Sequence, residues 1–237
     1  MKKKCAQKAL EMIENGMIVG LGGGSTVALL IEEIEKHRKR IQAVTPSRDT
    51  LRLCIQHHIP VLPLELTEET DLAFDGCDEL DAELNALKSC GGIHTQEKIA
   101  ACMAKEYVLL ADEGKYHETL TFSYPVTVEV LPPAYACVKK CLEQMGAVVT
   151  ERRSAQKAGV LVSDYGNYLL EAKFSSVENI GELSLKLDQV PGLTGHSLFY
   201  RIASKAIIAG SDGMEIIKSE QPGFRRKEIR RKTNAEI

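Results

Sequence analysis

Apolar positions along this chain follow two rhythms. A mixed amphipathic pattern of helical spacing covers residues 3–14 and stops at Asn15-Gly16, a pair that ends helices readily. After it, short apolar runs alternate with helical stretches. Residues 17–21 (MIVGL) read as a strand before a helix over 27–34, and residues 41–45 as a strand before a helix over 48–57. Residues 71–74 form a further buried strand, and 93–105 a helix that leads into the strand 107–111. Alternation through about residue 124 predicts an α/β fold: a Rossmann-like, mostly parallel sheet with helices on both faces.

The texture changes at Pro125. Residues 126–130 read as a strand, Pro132-Pro133 open a helix over 134–144, and 147–152 and 160–163 are strands. Asp164-Tyr165-Gly166-Asn167 is a strong hairpin turn into the strand 168–174. A helix over 176–187 follows, and 205–209 is a late strand that returns to the first sheet. The pattern divides the chain into an α/β catalytic domain (residues 1–124 and 203–220) and a small α+β domain (residues 125–202). Residues 221–237, with the run FRRKEIRRK, are read as a mobile or partner-contacting basic tail.

Composition narrows the functional classes. A chain of 237 residues can bury one sizeable core and a small second lobe. Its net charge of −3 gives no general pull toward nucleic acid or anionic membrane, so neither is expected as a partner. No apolar run is long enough to span a bilayer, and Met1-Lys2-Lys3-Lys4 leads into an amphipathic helix, not a signal-peptide core. The expected compartment is the cytoplasm. The 7 cysteines are scattered without CxxC spacing, which fits reduced thiols better than a disulfide framework or a zinc site. The 6 histidines form no ligand constellation, and neither metal nor cofactor is expected.

The densest chemistry lies at residues 75–98, DGCDELDAELNALKSCGGIHTQEK. The segment reads as strand–loop–strand–loop–helix, with 84–87 as its second apolar run, and Asp81 and Glu83 as solvated turn residues. Asp75, Asp78 and Lys88 then fall at carboxyl ends of strands, where ligands gather in open α/β sheets, and Glu97 in the first turns of a helix. Carboxylates and an ammonium in one cleft suit acid–base work on a small polar substrate. Upstream, Gly22-Gly23-Gly24-Ser25-Thr26 joins a strand to a helix, a place where backbone amides can meet an anion. No lysine follows the glycines, so it is not the nucleotide P-loop, and a simple capped helix start explains it equally well.

Taken together, GLGGGST, the acidic segment, ADEGK at 111–115, VTPSRDT at 44–50, VEVLP at 128–132 and VPGLTGHSLF at 190–199 resemble the type A ribose-5-phosphate isomerase family over roughly the first 220 residues. The resemblance implies an aldose–ketose isomerase that interconverts ribose 5-phosphate and ribulose 5-phosphate through an enediolate, without a metal. It implies Glu97 as general base, Asp78 and Lys88 as the groups handling protons and charge at O1 and O2, and Asp75 as a positioning and ring-opening residue. Ser25, Thr26 and Lys115 match substrate-binding positions. Gly23, Gly24, Gly76, Cys77, Ser89, Cys90 and Gly91 are expected to line the same pocket, and Lys4 to be a further contact. A sugar phosphate is the expected ligand, and a homodimer or homotetramer the expected assembly.

Four residues depart from the family pattern, one of them Glu171, where aspartate is common and no consequence is expected. Gly23 stands where GTGST has threonine, and Ser89 and Cys90 stand where the lysine is usually followed by glycines. Those two side chains are expected to narrow the sugar pocket, so a different phosphosugar is an alternative substrate. Cys77 and Cys90 flanking the site suggest oxidative inhibition. A non-catalytic phosphosugar sensor is the alternative from another class, but it has no need of Glu97, Asp78 and Lys88 together.

Overall fold

The computed structural model describes residues 1–155, 157–211 and 213–219. The basic tail expected at 221–237 lies outside the described residues. The first half runs α1 (Lys2–Glu11), β1 (Ile18–Leu21), α2 (Ser25–Lys36), β2 (Gln42–Val44), α3 (Arg48–Gln56), β3 (Thr70–Gly76), β4 (Glu79–Asp81), β5 (Ala86–Leu87), α4 (His94–Met103), β6 (Ala104–Asp112) and β7 (Tyr116–His117). The second half runs β8 (Val126–Val130), α5 (Tyr135–Gln144), β9 (Val148–Glu151), β10 (Arg153–Ser154), β11 (Lys157–Val160), β12 (Tyr168–Lys173), α6 (Ile180–Asp188), β13 (Leu193–His196), β14 (Leu198–Phe199), β15 (Lys205–Ala209) and β16 (Met214–Lys218).

Six strands form the central sheet in the order β16-β15-β6-β3-β1-β2, parallel throughout except for β16, which closes one edge antiparallel to β15. Period-two alternation explains why helices cover both faces. Val108, Leu110, Ile207 and Ala209 point into one core with α1, α2 and Cys54 of α3. Tyr107, Leu109, Ala111, Ala206 and Ile208 point into another with Ala101 of α4 and Phe199 of β14. The α/β class and the mostly parallel sheet are as the sequence pattern implies.

The second sheet is antiparallel, in the order β13-β8-β12-β9. Its core joins Val126, Val128 and Val130 to Val138 and Leu142 of α5 and Leu183 and Leu187 of α6. A third sheet, β14-β5-β4-β7, is absent from the sequence reading because its strands are two or three residues long. No periodicity is legible over so few positions.

Local chemistry moves several boundaries. The helix expected to begin at 27 starts at Ser25, immediately after Gly24 at φ +93°. The helix expected from 176 starts at Ile180, where the Asn179 side chain accepts from Glu182 N and caps it. The strand expected at 160–163 runs Lys157–Val160. Of the apolar run 84–87 only Ala86 and Leu87 pair as a strand, because Leu84 turns at φ +63°. Asp81 corrects the solvated-turn reading: it is 2% exposed, and Oδ1 accepts from Glu83 N and Asn85 N while Oδ2 accepts from Asn85 Nδ2. It builds that turn from inside, whereas Glu83 is exposed as expected.

Candidate active site

Two neighbouring parallel strands, β1 and β3, release their loops at the same edge of the sheet. That is where Gly22–Gly24 and the segment after Asp75 meet. Gly22 N donates to Phe74 O at 2.9 Å, and a Cβ on Gly22 would lie 2.1 Å from both Cγ and Oδ1 of Asp75. Only glycine fits there. Asp75 is 3% exposed, and its Oδ1 accepts from Gly76 N at 2.8 Å and Gly23 N at 3.3 Å. Gly22 belongs to the expected anion turn, but its need to be glycine arises from a residue 53 positions away in the chain.

Beside Asp75 lies the centre of the site. Lys88 follows β5, and its Nζ sits 3.0 Å from Asp75 Oδ2 and 3.3 Å from Glu97 Oε1, and donates to Gly76 O at 2.6 Å. All three side chains are no more than 7% exposed. The Phe199 ring packs below, with Lys88 Nζ 5.7 Å from its centroid. Two buried carboxylates thus share one ammonium. Burial works to discharge Lys88, but Asp75 and Glu97 outweigh it and hold the lysine protonated, its pKa raised. Glu97 goes the other way from an ordinary acid. Burial first and the Asp75 charge second lift its carboxyl to about 8, with Lys88 offsetting part of the effect. Such a carboxylate takes and returns a proton near neutral pH.

Asp78 organises the loop after Lys88. Its Oδ2 accepts from Ser89 N at 2.6 Å and Cys90 N at 2.9 Å. The Ser89 hydroxyl points away from the cleft, donating to Pro125 O at 2.5 Å and lying 3.1 Å from Ser197 Oγ. From the opposite side Arg152 donates to Ser89 O at 2.7 Å and also to Cys90 O. Lys115 Nζ reaches Cys77 O at 2.6 Å, beside Asp78. Burial pushes the Cys77 thiol up to about 12, and burial with the Asp78 charge pushes Cys90 to about 11. Both shifts disfavour the thiolate form that oxidants attack, although Cys90 is exposed on the cavity wall.

These groups open into a cavity of about 430 Å³. Its walls include Gly23, Gly24, Ser25, Thr26, Asp75, Gly76, Cys77, Asp78, Lys88, Cys90, Gly91, Glu97 and Lys115, all expected from the sequence. Two expected residues do not line it: the Ser89 side chain is turned away, and Lys4 is exposed on α1. Lys2 takes the place expected of Lys4, donating to Ser25 Oγ at 2.8 Å. A helical wheel carried the signal, since Lys2 shares a face with buried Cys5, Ala6 and Ala9 at i+3, i+4 and i+7. Ser47, Arg48, Asp49 and Asp164 also line the cavity and were missed. Arg48 Nε donates to Asp164 Oδ2 at 3.2 Å, joining the start of α3 to the 163–167 turn. Among the described residues no group of three His, Cys, Asp or Glu is arranged to hold a metal ion, and no helix is long and apolar enough to cross a membrane.

A family model described as ribose 5-phosphate isomerase A (phosphoriboisomerase A) matches residues 42–213. The chain belongs to the ribose 5-phosphate isomerase A family. It is 34% identical to ribose-5-phosphate isomerase A of Synechococcus sp. over 218 residues, 90% of this chain and 94% of that one. It is 36% identical to the Methanothermobacter thermautotrophicus protein of the same name over 222 residues, 92% and 97% of the two chains. Ribose 5-phosphate isomerase A from Methanocaldococcus jannaschii superposes with a TM-score of 0.85 at 33% identity, covering 92% of this chain and 97% of that one. A D-ribose-5-phosphate isomerase in complex with phospho-erythronic acid superposes at 0.87 with the same identity and coverage.

The departures from the isomerase family pattern now have physical readings. A Cβ at Gly23 would find its nearest neighbour, Ser47 Oγ, at 3.7 Å, so a side chain is sterically allowed and its absence only widens the cavity. Ser89 does not narrow the pocket. Cys90 does face it, and is the one departure that places a new side chain against the ligand space.

Proposed function

We propose that this isomerase interconverts D-ribose 5-phosphate and D-ribulose 5-phosphate by proton transfer through an enediolate, with Glu97 as the base. The observation that carries this reading is a buried carboxylate lifted to about 8 and 3.3 Å from a fixed ammonium. In the open-chain aldose Glu97 takes the proton from C2, and the C–H electron pair becomes the C1–C2 double bond as O1 gains negative charge. Lys88, held in place by Asp75, stabilises that charge without reorganising. Asp78 passes a proton between O2 and O1, C2–O2 becomes the carbonyl, and Glu97 returns its proton to C1. Asp75 also orients the sugar hydroxyls and assists ring opening. Ser25, Thr26 and the amides opening α2 receive the phosphate together with Lys2, and Lys115 binds from the Asp78 side.

The fold supports a division into the α/β unit (1–124 and 203–220), which supplies the acid–base groups, and the 125–202 unit, which walls them in. A cytoplasmic, metal-independent homo-oligomer is the rest of this proposal. The test is turnover of ribose 5-phosphate by purified protein, with and without EDTA, beside a panel of other aldose phosphates. Rapid EDTA-insensitive conversion is expected. Activity on another phosphosugar alone would move suspicion to Cys90, and silence across the panel from folded protein would favour a phosphosugar sensor.

A further inference from the structure

Strand β8 reads VTVEV, and all five residues are buried. Val126, Val128 and Val130 point into the α+β core, so a period of two turns Thr127 and Glu129 to the opposite face. On that face they meet the two segments that carry the proposed chemistry. Thr127 Oγ1 donates to Ser89 O at 3.0 Å, in the loop that follows Lys88. The Glu129 carboxylate, 2% exposed, collects three neutral donors. Thr95 Oγ1 donates to Oε2 at 2.5 Å, while Ser163 Oγ and Asn167 Nδ2 donate to Oε1 at 2.6 and 2.8 Å.

Those donors are placed with consequence. Thr95 lies in the first turn of α4, two residues before Glu97. The helix is pressed close at this point, since a Cβ on Gly195 of β13 would lie 2.3 Å from Thr95 Oγ1. Ser163 and Asn167 bracket the turn whose Asp164 lines the cavity and pairs with Arg48. A carboxylate this deep is costly unless its acceptors are filled, and here they are filled by parts of the site wall.

We propose that Glu129 is a positioning residue for the isomerisation. One oxygen fixes the start of α4, and with it the Glu97 carboxylate; the other fixes the 163–167 turn at the mouth of the cavity. This rests on the isomerase reading. The two oxygens separate two effects. Freeing Thr95 moves the base relative to C1 and C2, and displacement of about 1 Å can cost on the order of 10²-fold in rate. Freeing Ser163 and Asn167 loosens Asp164 and Arg48, which changes how substrate is held.

Thr95→Val, Ser163→Ala, Glu129→Ala and Glu129→Gln are to be compared with wild type in ribose 5-phosphate turnover and in amide hydrogen exchange over residues 93–98 and 163–167. Thr95→Val is expected to lower kcat by about 10²-fold with KM little changed, and Ser163→Ala to raise KM with kcat little changed. Glu129→Ala should do both and speed exchange in both segments. Glu129→Gln should recover most of the rate, since its amide oxygen accepts from Ser163 and Asn167 while its NH₂ donates to Thr95 Oγ1. Wild-type kcat in Thr95→Val overturns the proposal even if Glu129→Ala fails to fold. A wild type that turns over no sugar phosphate sinks the isomerase reading. Exchange then decides Glu129 by itself, and unaltered protection over 93–98 in Thr95→Val overturns it.

Discussion

Replacing Glu97 by glutamine is expected to remove one titration from both the rate and the stability of this protein. The carboxyl sits at about 8 against an ordinary 4.5. At about 1.4 kcal/mol per pH unit, holding the ionised base in the fold costs about 5 kcal/mol once the pH passes 8. Because the folded state grips this proton more tightly than the unfolded chain, its contribution is fully present below pH 4.5 and is lost as the pH rises to about 8. His94 and His196 act in the opposite sense. Burial first, and the Lys98 charge next, lower them to about 3 and about 4 from 6.5, so their contribution is complete by pH 6.5. The clean window is therefore pH 6.5 to 8, over which wild type should lose about 2 kcal/mol that Glu97→Gln keeps. The chain has no tryptophan, so urea unfolding is best followed by circular dichroism. The same titration governs the rate, and kcat/KM should rise about tenfold per pH unit toward pH 8 and then level. Glu97→Gln should lower kcat by about 10²–10⁴-fold. Parallel loss of stability in both proteins, or a rate flat above pH 6, would refute the assignment of the raised proton to Glu97.

Five further substitutions probe other parts of the argument. Gly22→Ala drives a Cβ into the Asp75 carboxylate and should break its pairing with Lys88, costing about 3–5 kcal/mol; a wild-type urea midpoint would contradict the steric reading. Lys2→Met should raise KM by roughly tenfold or more with kcat unchanged, since a charge-assisted hydrogen bond contributes about 1.5–3 kcal/mol, while Lys4→Met should leave KM alone. Ser89→Ala removes a hydroxyl that faces away from the cleft, so kinetics should hold while stability falls by about 1 kcal/mol; altered KM would show that the residue does shape the pocket. Tyr107→Phe removes a buried hydroxyl that lies against the Asp75 carboxylate and should lower stability by about 1 kcal/mol in urea; an unchanged midpoint would show that the hydroxyl contributes nothing there.

The legible part of this molecule is the part written in consecutive residues. Runs of four or five residues reveal β3, β6 and β15, because burial on both faces demands apolar side chains in sequence. Glu97 and Lys88 are legible as chemistry because acids, an ammonium and glycines crowd one short segment. Most of the misses depend on a partner distant in the chain, whereas Asp81 closes on its near neighbours Glu83 and Asn85. Gly22 answers to Asp75, Asp81 is buried where an exposed turn was expected, and Lys2 enters the site through the facing of α1. Arg48 opens α3 and Asp164 lies in the 163–167 turn, 116 positions on, and they meet only across the cleft.

By itself, then, the order of residues determines the alternation of strands and helices, the carboxyl-end placement of the acidic segment and the groups able to move a proton. Tertiary structure alone decides which of them are buried together. A carboxylate's pKa depends on the water removed from it and on charges within a few ångströms. Neither quantity exists until Asp75, Lys88 and Glu97, from three separate elements, close on one another.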